Sequence, residues 1–564
     1  MLVILDDGPR RVFSDPTALI QADRLDEVPA ALAAVDAALK LGSYVAGWLG
    51  YELGYALESR LGRQGFAGPL LRLGVFGPPK SVAPAAPGRA YAGPLMPDWS
   101  EAQYAARFAA VKNAIAAGDI YQANLSFRSR FAFAGDPQAF YERLLAESGA
   151  GHCGFVGFPD EKNSGERQIV SLSPELFFDL AADGRITVKP MKGTAPRRGD
   201  DTAERSSLAA SDKDRAENLM IVDLIRNDLS RIAQGGSVEV SDLFQVETYP
   251  TLHAMVSTVA ARIRADVGAS DILKALFPCG SVTGAPKIRA MEILRELEDS
   301  PRGAYCGAIG VFAPDGSARF NVAIRTLTLA GQKGELGIGG GVVQDSRAAS
   351  EYAECLLKAR FFEAARRPLE LIETLRFEDG FVRCEAHLAR MKSSAKVFGL
   401  CFEPDAARAA LEKAVAGRQG ALRVRLTLNE SGRHEAQAHD LAPTQSHWTY
   451  AISSRRTDSR DLFLRHKTSW RELYESEVKR LGTDEVIFQN QQGEITEGAR
   501  SNIFVARDGM LLTPPLEAGI LDGRLRAELI AKGQARETVL MPQDLKGEVY
   551  FGNSLRGLIP ARPI

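Results

Sequence analysis

Two pairs of carboxylates and three lysines stand where they could do chemistry. Asp214 and Glu217 are three residues apart, as are Glu351 and Glu354, and Lys358 follows four beyond Glu354. On helices, each pair leaves one face together. Four oxygen ligands on rigid helices suit a hard cation such as Mg2+, which takes a few carboxylates, waters and an anionic substrate. Read alone, acidic pairs on helices are more often solvated faces. Lys192 lies in the turn-forming run KPMKGTAPRRGDD (189–201), among Lys189, Arg197 and Arg198. A lysine is a nucleophile only when uncharged, and cationic neighbours and burial both disfavour its charged form. Farther on, Lys467 follows a strand-like run, and Glu497 stands just before a Ser501-Asn502 turn. A conjugated Schiff-base cofactor needs a lysine for its aldehyde, an acid for its pyridine nitrogen, and an arginine or N–H groups for its phosphate. Arg390 and the turn at 521–525 complete such a set, although from spacing alone a plain α+β domain is the favoured reading.

The elements that must position these residues follow from periodicity. DWSEAQYAARFAAVKNAIAAGD predicts a helix that places Tyr104, Phe108, Val111 and Ile115 on one face and stops at Gly118. Helices are also predicted over 212–233, capped by Ser211, and over 346–367, ending before Pro368. Strands are predicted in IYQANLSFRSRFAF, GAIGVFA, FNVAIRTLTLA and GELGIGGGVV. The Pro/Gly-rich run 77–99 reads as a loop. The pattern restarts near 366–369 with strand LELIETLRFEDG, a turn at Asp379-Gly380, strand FVRCEA and helix HLARMKSSAKVFG. Two domains are therefore expected, 1–367 and 368–564, of mixed α/β class. A chain of 564 residues exceeds what one core supports.

Composition is that of an ordinary globular protein, and the net charge of −2 argues against nucleic-acid or membrane-surface partners. No secretory signal and no membrane-spanning run is apparent. The six cysteines are scattered without ligand spacing and read as reduced, mostly buried thiols of a cytoplasmic protein. GSVTGAPK is not a Walker A loop, and GIGGGVV fails G-x-G-x-x-G.

Eight blocks occur in order: GDIYQANLS (118–126), SPELFF (173–178), KPMKGTAPR (189–197), AENLMIVDLIRNDLSRI (216–232), GSVTGAPKIRAMEIL (280–294), GAYCGAIGVF (303–312), NVAIRT (321–326) and GGGVVQDSRAASEYAECLLKA (339–359). Over about 20–365 the chain resembles the chorismate-using enzymes: anthranilate synthase, aminodeoxychorismate synthase and isochorismate synthase. The resemblance implies a two-sheet sandwich flanked by helices, with Mg2+ at Asp214, Glu217, Glu351 and Glu354. Asp214 stands where relatives commonly carry Glu. It further implies carboxylate binding by Tyr305, Arg325, Lys358 and Gly339, Gly340 and Gly341. His253 matches a histidine near the departing C4 hydroxyl, and Ser281 a position, usually Thr, that helps protonate it. Within that group, anthranilate synthases carry Ala where this chain has Lys192, and isochorismate synthases use the lysine to activate water. The form P-x-K-G-T resembles aminodeoxychorismate synthases, whose lysine attacks C2 before ammonia adds at C4. No G-x-C-x-G elbow is present, so ammonia is expected from a separate glutamine amidotransferase subunit or free in solution.

Residues 369–564 resemble fold-type IV pyridoxal-phosphate (PLP) enzymes. The resemblance implies a Schiff base at Lys467, Glu497 on the pyridinium, and phosphate contacts from Arg390, the backbone of Arg524 and Leu525, and Asn553. GNSLRGLIPA (552–561) resembles the lyase branch, which would turn aminodeoxychorismate into 4-aminobenzoate and pyruvate. Such domains are often homodimeric. Relatives carry some 25–30 further residues before ETLR that are missing here. Either the first domain covers the exposed sheet or the core tolerates the loss. Competing readings are an anthranilate or isochorismate synthase fused to an aminotransferase-like domain, and a C-terminal half that is an inactive docking module.

Overall fold

The computed structural model describes residues 1–62, 65–82, 88–160, 165–197, 201–248 and 252–564. Arg198 and the Tyr249-Pro250-Thr251 stretch before His253 lie outside the described residues. The chain divides into two compact units: Met1–Pro87 with Leu95–Phe131 and Pro137–Ala365, and Gly88–Pro94 with Ala132–Asp136 and Arg366–Ile564.

The first unit is built on two large, almost wholly antiparallel sheets. One runs in the order Gly284–Ala285, Gln122–Gly135, Lys333–Val342, Thr326–Ala330, Gly165–Ser173, His152–Asp160, Leu2–Asp6, Arg11–Phe13. The other runs Met191–Pro196, Leu252–Arg262, Arg185–Val188, Leu176–Leu180, Ala318–Val322, Ala308–Phe312, Tyr44–Leu49, Ala67–Phe76, Ala18–Arg24. Alternation along the strands presents one apolar face of each sheet to the other. Val3, Val156 and Ile169 from the first meet Trp48, Ile309 and Val311 from the second in one buried cluster. The outer face of the second sheet is covered by helices Val28–Lys40, Asp212–Ser230 and Ala269–Leu276, through residues such as Val35, Ile221, Ile225 and Leu273.

The helices that carry the carboxylates form for local reasons. Ser211 caps Asp212–Ser230 by accepting the Asp214 N–H at 3.3 Å, and Asn218, Ile221, Val222, Ile225 and Leu229 face inward at helical spacing. The helix expected over 346–367 is two, Ala348–Lys358 and Arg360–Ala365. The strand expected across FNVAIRTLTLA is also two, Ala318–Val322 and Thr326–Ala330. Between them Arg325 takes φ +49°, a left-handed conformation that few non-glycine residues adopt.

The second unit has a three-stranded sheet (Leu371–Phe377, Leu422–Leu428, His434–Asp440) and an eight-stranded sheet spanning Trp448–Pro563. FVRCEA is not a strand. Phe381 bridges back to Phe377, Arg383 takes φ +57°, and the helix Cys384–Phe398 begins at once. The tight turn leaves no length for a return strand.

The run 77–99, read as a loop, contains the short strand Ala90–Ala92, paired with Phe133–Gly135. These residues belong to the second unit, where Tyr91 is fully buried and packs edge-on against Phe398 (5.6 Å) and Trp470 (6.4 Å). Residues from early in the chain thus fill core positions of the second unit. Tyr91→Ala is expected to destabilise this unit by about 3–5 kcal/mol, the cost of emptying a large aromatic site. Denaturant unfolding followed by near-UV circular dichroism checks it.

Candidate active sites

In the first unit, Lys192 Nζ donates to the backbone carbonyl of Ser281 at 3.3 Å. Ser281 sits in a buried 3-10 turn, Gly280–Val282, and its Oγ lies 3.3 Å from Cys279 Sγ. Gly193, beside Lys192, takes φ +78°, and a Cβ there would fall 2.7 Å from the Asp214 carboxyl carbon. Only glycine lets this turn approach the helix that carries Asp214 and Glu217. On the strand Lys333–Val342, a Cβ at Gly341 would fall 2.8 Å from Gln122 Nε2 and 3.5 Å from Lys192 Nζ. One at Gly340 would fall 3.5 Å from both Glu351 Oε2 and Lys358 Nζ. The glycine run therefore floors a space ringed by Lys192, Gln122, Glu351 and Lys358. Lys358 Nζ also reaches Gly339 O and Glu354 Oε1, each at 3.0 Å, and Glu351 Oε1 accepts from Ser346 Oγ at 2.8 Å.

The four expected metal ligands share this neighbourhood without closing on a point. Burial pushes the Glu217 carboxyl up, opposed by the attraction of Lys192 and Lys213. Burial also acts on Glu354, but Lys358, with Lys213 and Lys192, outweighs it and holds that carboxyl low. Among the described residues, no three acidic, histidine or cysteine side chains are close enough to chelate an ion. The expected donors nonetheless suit a hard cation, since all four are carboxylates. The fully buried Gln122 carboxamide, with neither Nε2 nor Oε1 hydrogen-bonded, is a further unused oxygen ligand at the same place.

The remaining expected residues fall as follows. The Tyr305 ring lies on Gly337 of the glycine-bearing strand, where no Cβ would fit. Arg325 is largely buried, has no acceptor among the described residues, and burial disfavours its charge. An anionic ligand would relieve that cost. His253 is fully buried opposite Ala195, its Nδ1 3.0 Å from Thr248 Oγ1 and its Nε2 3.4 Å from Asp201 Oδ1. The ion-pair distance is met there but hydrogen-bond geometry is not, so Nε2 counts as unsatisfied.

Sequence reasoning missed Glu175. It is buried, one of its carboxylate oxygens has no hydrogen-bond partner, and burial pushes it up to about 7 against the pull of Ser281 and Lys192. A carboxyl that titrates near neutrality beside an amine is placed for proton transfer. The available signal was an acid at the head of an apolar strand, ELFFDL.

The second unit holds a cavity of about 720 Å³, within the size range of small-molecule sites. Lys467 lies on its wall, half-buried, with Nζ 3.4 Å from Thr374 Oγ1. Burial lowers its amine to about 7, aided by Arg390, Arg471 and Arg425 and opposed by Glu373. Glu497, raised by burial to about 7, accepts from Tyr474 Oη at 2.8 Å and from the Leu521 N–H at 3.0 Å. Arg390 is gripped by Glu373 through two bonds of 2.8 and 2.7 Å and donates a third to Asp522 O at 2.7 Å. Glu373 also takes His387 Nδ1 at 2.6 Å, and His387 Nε2 meets Ser554 Oγ at 2.8 Å. The helix Arg524–Ala531 starts at Gly523, with the Arg524 side chain turned back onto Asp522 and its backbone N–H groups at the open end. Asn553 Nδ2 donates to Ser501 Oγ at 3.0 Å. Lysine, acid and phosphate-binding groups thus line one cavity, and they fit PLP. Tyr474 and Glu373, absent from the sequence reading, are the supports of Glu497 and Arg390.

A consequence is measurable. An exposed lysine becomes half neutral near pH 10.5, whereas Lys467 does so near 7. Because the neutral amine is the reacting form, the rate of PLP uptake by apoprotein is expected to rise with pH and level off above about 7–8. Stopped-flow absorbance checks it; a rate still climbing tenfold per unit at pH 9 contradicts it.

With this geometry in place, the comparisons with known proteins are direct. Residues 5–364 match the chorismate binding enzymes, and the chain belongs to that family. Residues 370–564 match the class IV amino-transferases. Aminodeoxychorismate synthase component 1 of Klebsiella aerogenes is 42% identical over 280 residues, 49% of this chain and 59% of that protein. The protein of the same name from Salmonella typhimurium is 45% identical over 255 residues, 45% of this chain and 55% of its own. The chain thus spans somewhat over half the length of these curated relatives. Anthranilate synthase component I of Streptococcus pneumoniae shares the fold, with 24% identity and a TM-score of 0.53 over 64% of this chain and 92% of that one. Among the described residues, no helix is long and apolar enough to cross a membrane.

Proposed function

We propose that the chain makes 4-aminobenzoate from chorismate in two steps, one in each unit. The observation that carries this reading is the Lys192 amine, held 3.3 Å from Ser281 O and beside Gly341, inside the carboxylate site and not in solvent. Arg325, Tyr305 and Lys358 orient the substrate carboxylates. Lys192 Nζ forms a bond to C2 as the ring double bonds shift and the C4 hydroxyl departs. Ser281, His253 and Glu175 surround the path of the protons: one leaves the amine and one joins the departing oxygen. Ammonia then bonds at C4 and the Lys192 nitrogen leaves C2, giving 4-amino-4-deoxychorismate. Asp214, Glu217, Glu351 and Glu354 would hold Mg2+, which when bound masks carboxylate charge and acts as a Lewis acid. The relatives' designation as component 1 supports a separate glutaminase subunit as the ammonia source.

In the second unit PLP, when bound, supplies an electron sink. Lys467 would hold its aldehyde and would move the proton of the carbon bearing the substrate amine. Glu497, steadied by Tyr474 and the Leu521 N–H, would keep a proton on the pyridine nitrogen. Arg390, the N–H groups of Arg524 and Leu525, and Asn553 would hold the phosphate. Loss of pyruvate leaves the aromatic acid for folate synthesis in the cytoplasm. A homodimer through this unit fits the same reading. Chorismate, Mg2+ and an ammonium salt, with PLP present, are expected to yield 4-aminobenzoate and pyruvate in equal amounts by product chromatography. Formation of anthranilate or isochorismate instead contradicts the reading.

A further inference from the structure

We propose that Arg425 is the carboxylate-recognition residue of the second site and selects an amine substrate that carries a carboxylate; this rests on the lyase reading above. The cavity is far more cationic than a cofactor requires. Eight arginine and lysine side chains line it against three carboxylates, and a bound phosphate monoester accounts for about two negative charges. Most of these cations are already engaged. Arg390 and Arg524 are held by Glu373 and Asp522, and Arg471, Arg500 and Arg556 each donate to a backbone carbonyl. Among the described residues, Arg425 has no hydrogen-bond or ion-pair partner. A half-buried guanidinium without a counter-charge is costly unless a ligand supplies one.

Its position is set by register. On the strand Leu422–Leu428, Leu422, Val424, Leu426 and Leu428 point into the core, so Arg423, Arg425 and Thr427 share the opposite face. Arg425 stands directly across from Thr374, whose Oγ1 takes the Lys467 amine at 3.4 Å. Cross-strand partners lie about 5 Å apart at Cβ, so the guanidinium reaches the space in front of the reacting lysine. Its charge is one of those acting on Lys467. Arg423 is one pair farther out, opposite Arg376, and exposed. An amine-bearing substrate at Lys467 therefore meets a planar, two-pronged cation from the strand side. Aminodeoxychorismate, with a ring carboxylate and an enolpyruvyl carboxylate, matches that demand; a substrate with no carboxylate on the strand side leaves the cation unpaired.

The test is steady-state kinetics of the PLP-loaded full chain on aminodeoxychorismate, comparing wild type, Arg425→Gln and Arg425→Lys. A charge-assisted contact of this kind predicts a KM raised about 10- to 100-fold in Arg425→Gln. The turnover number, the visible absorption band and the thermal midpoint should stay those of wild type, and Arg425→Lys should recover part of the KM. As a second measurement, chorismate carries both carboxylates but no amine to react with the aldehyde. In a Lys192→Ala background, its perturbation of the PLP band should require correspondingly higher concentrations once Arg425 is Gln. An unchanged KM, a fall confined to turnover, or loss of the PLP band overturns the assignment. Failure of wild type itself to consume aminodeoxychorismate overturns the lyase reading, and the substrate class named here falls with it.

Discussion

Lys192→Ala is expected to lower aminodeoxychorismate formation by a factor on the order of 10³ or more, because on the proposed covalent route it deletes the nucleophile and leaves the leaving-group chemistry without its attacking partner. The loss should not reflect unfolding. Lys192 is half-buried at the end of a strand, its amine makes one backbone hydrogen bond, and no core cluster depends on it. Thermal stability should therefore shift little, and the PLP absorbance of the second unit should not change. Supplied aminodeoxychorismate should still be converted to 4-aminobenzoate. Liquid chromatography of the two half-reactions separates these outcomes. Synthesis at an undiminished rate in the Ala variant removes the covalent route.

Lys467→Ala is the mirror experiment. It is expected to abolish the absorption band at about 420 nm that a lysine–PLP linkage gives, and to cut pyruvate release by about 10³-fold or more. The synthase half-reaction should continue, so aminodeoxychorismate accumulates. The apoprotein should gain stability at neutral pH, and the sign follows from linkage. The Lys467 amine binds its proton at about 7 in the folded chain and at about 10.5 unfolded. Between those values the unfolded state holds more protons, so the lysine destabilises the fold most at and below pH 7, and the penalty fades toward pH 10.5. Removing it relieves that cost, although the cavity it leaves opposes the gain. The difference between the variants should therefore narrow from pH 7 to 10, which denaturant titrations at several pH values measure.

Much of the fold was legible because it rests on local rules. The three-residue spacing of Asp214 and Glu217, and of Glu351 and Glu354, is a helix signal, and Ser211 announced the cap that the structure has. The strand Lys333–Val342 and its glycines were legible, but the neighbours that a side chain at Gly341 would strike, Gln122 and Lys192, come from distant segments and were not. Elements that depend on distant partners were harder. Tyr91 lies in a Pro/Gly-rich run that reads as a loop, and what makes it a core residue is Phe398 and Trp470, more than 300 residues on. The FVRCEA stretch has strand-like residues, but the turn that pairs Phe377 with Phe381 leaves no length for one. Glu175 stands just ahead of the strand Leu176–Leu180, and Gln122 opens the strand Gln122–Gly135. Their character comes from buried polar atoms left without hydrogen bonds, a property of the assembled core that spacing does not encode.

The most direct measurement is peptide mass mapping after the chain is mixed with chorismate and Mg2+, without any ammonia source, and quenched in acid. The covalent route predicts a modified peptide containing Lys192, heavier by chorismate less one water, that disappears when ammonium is added before the quench. An unmodified Lys192 under conditions where ammonium supports full product formation contradicts it.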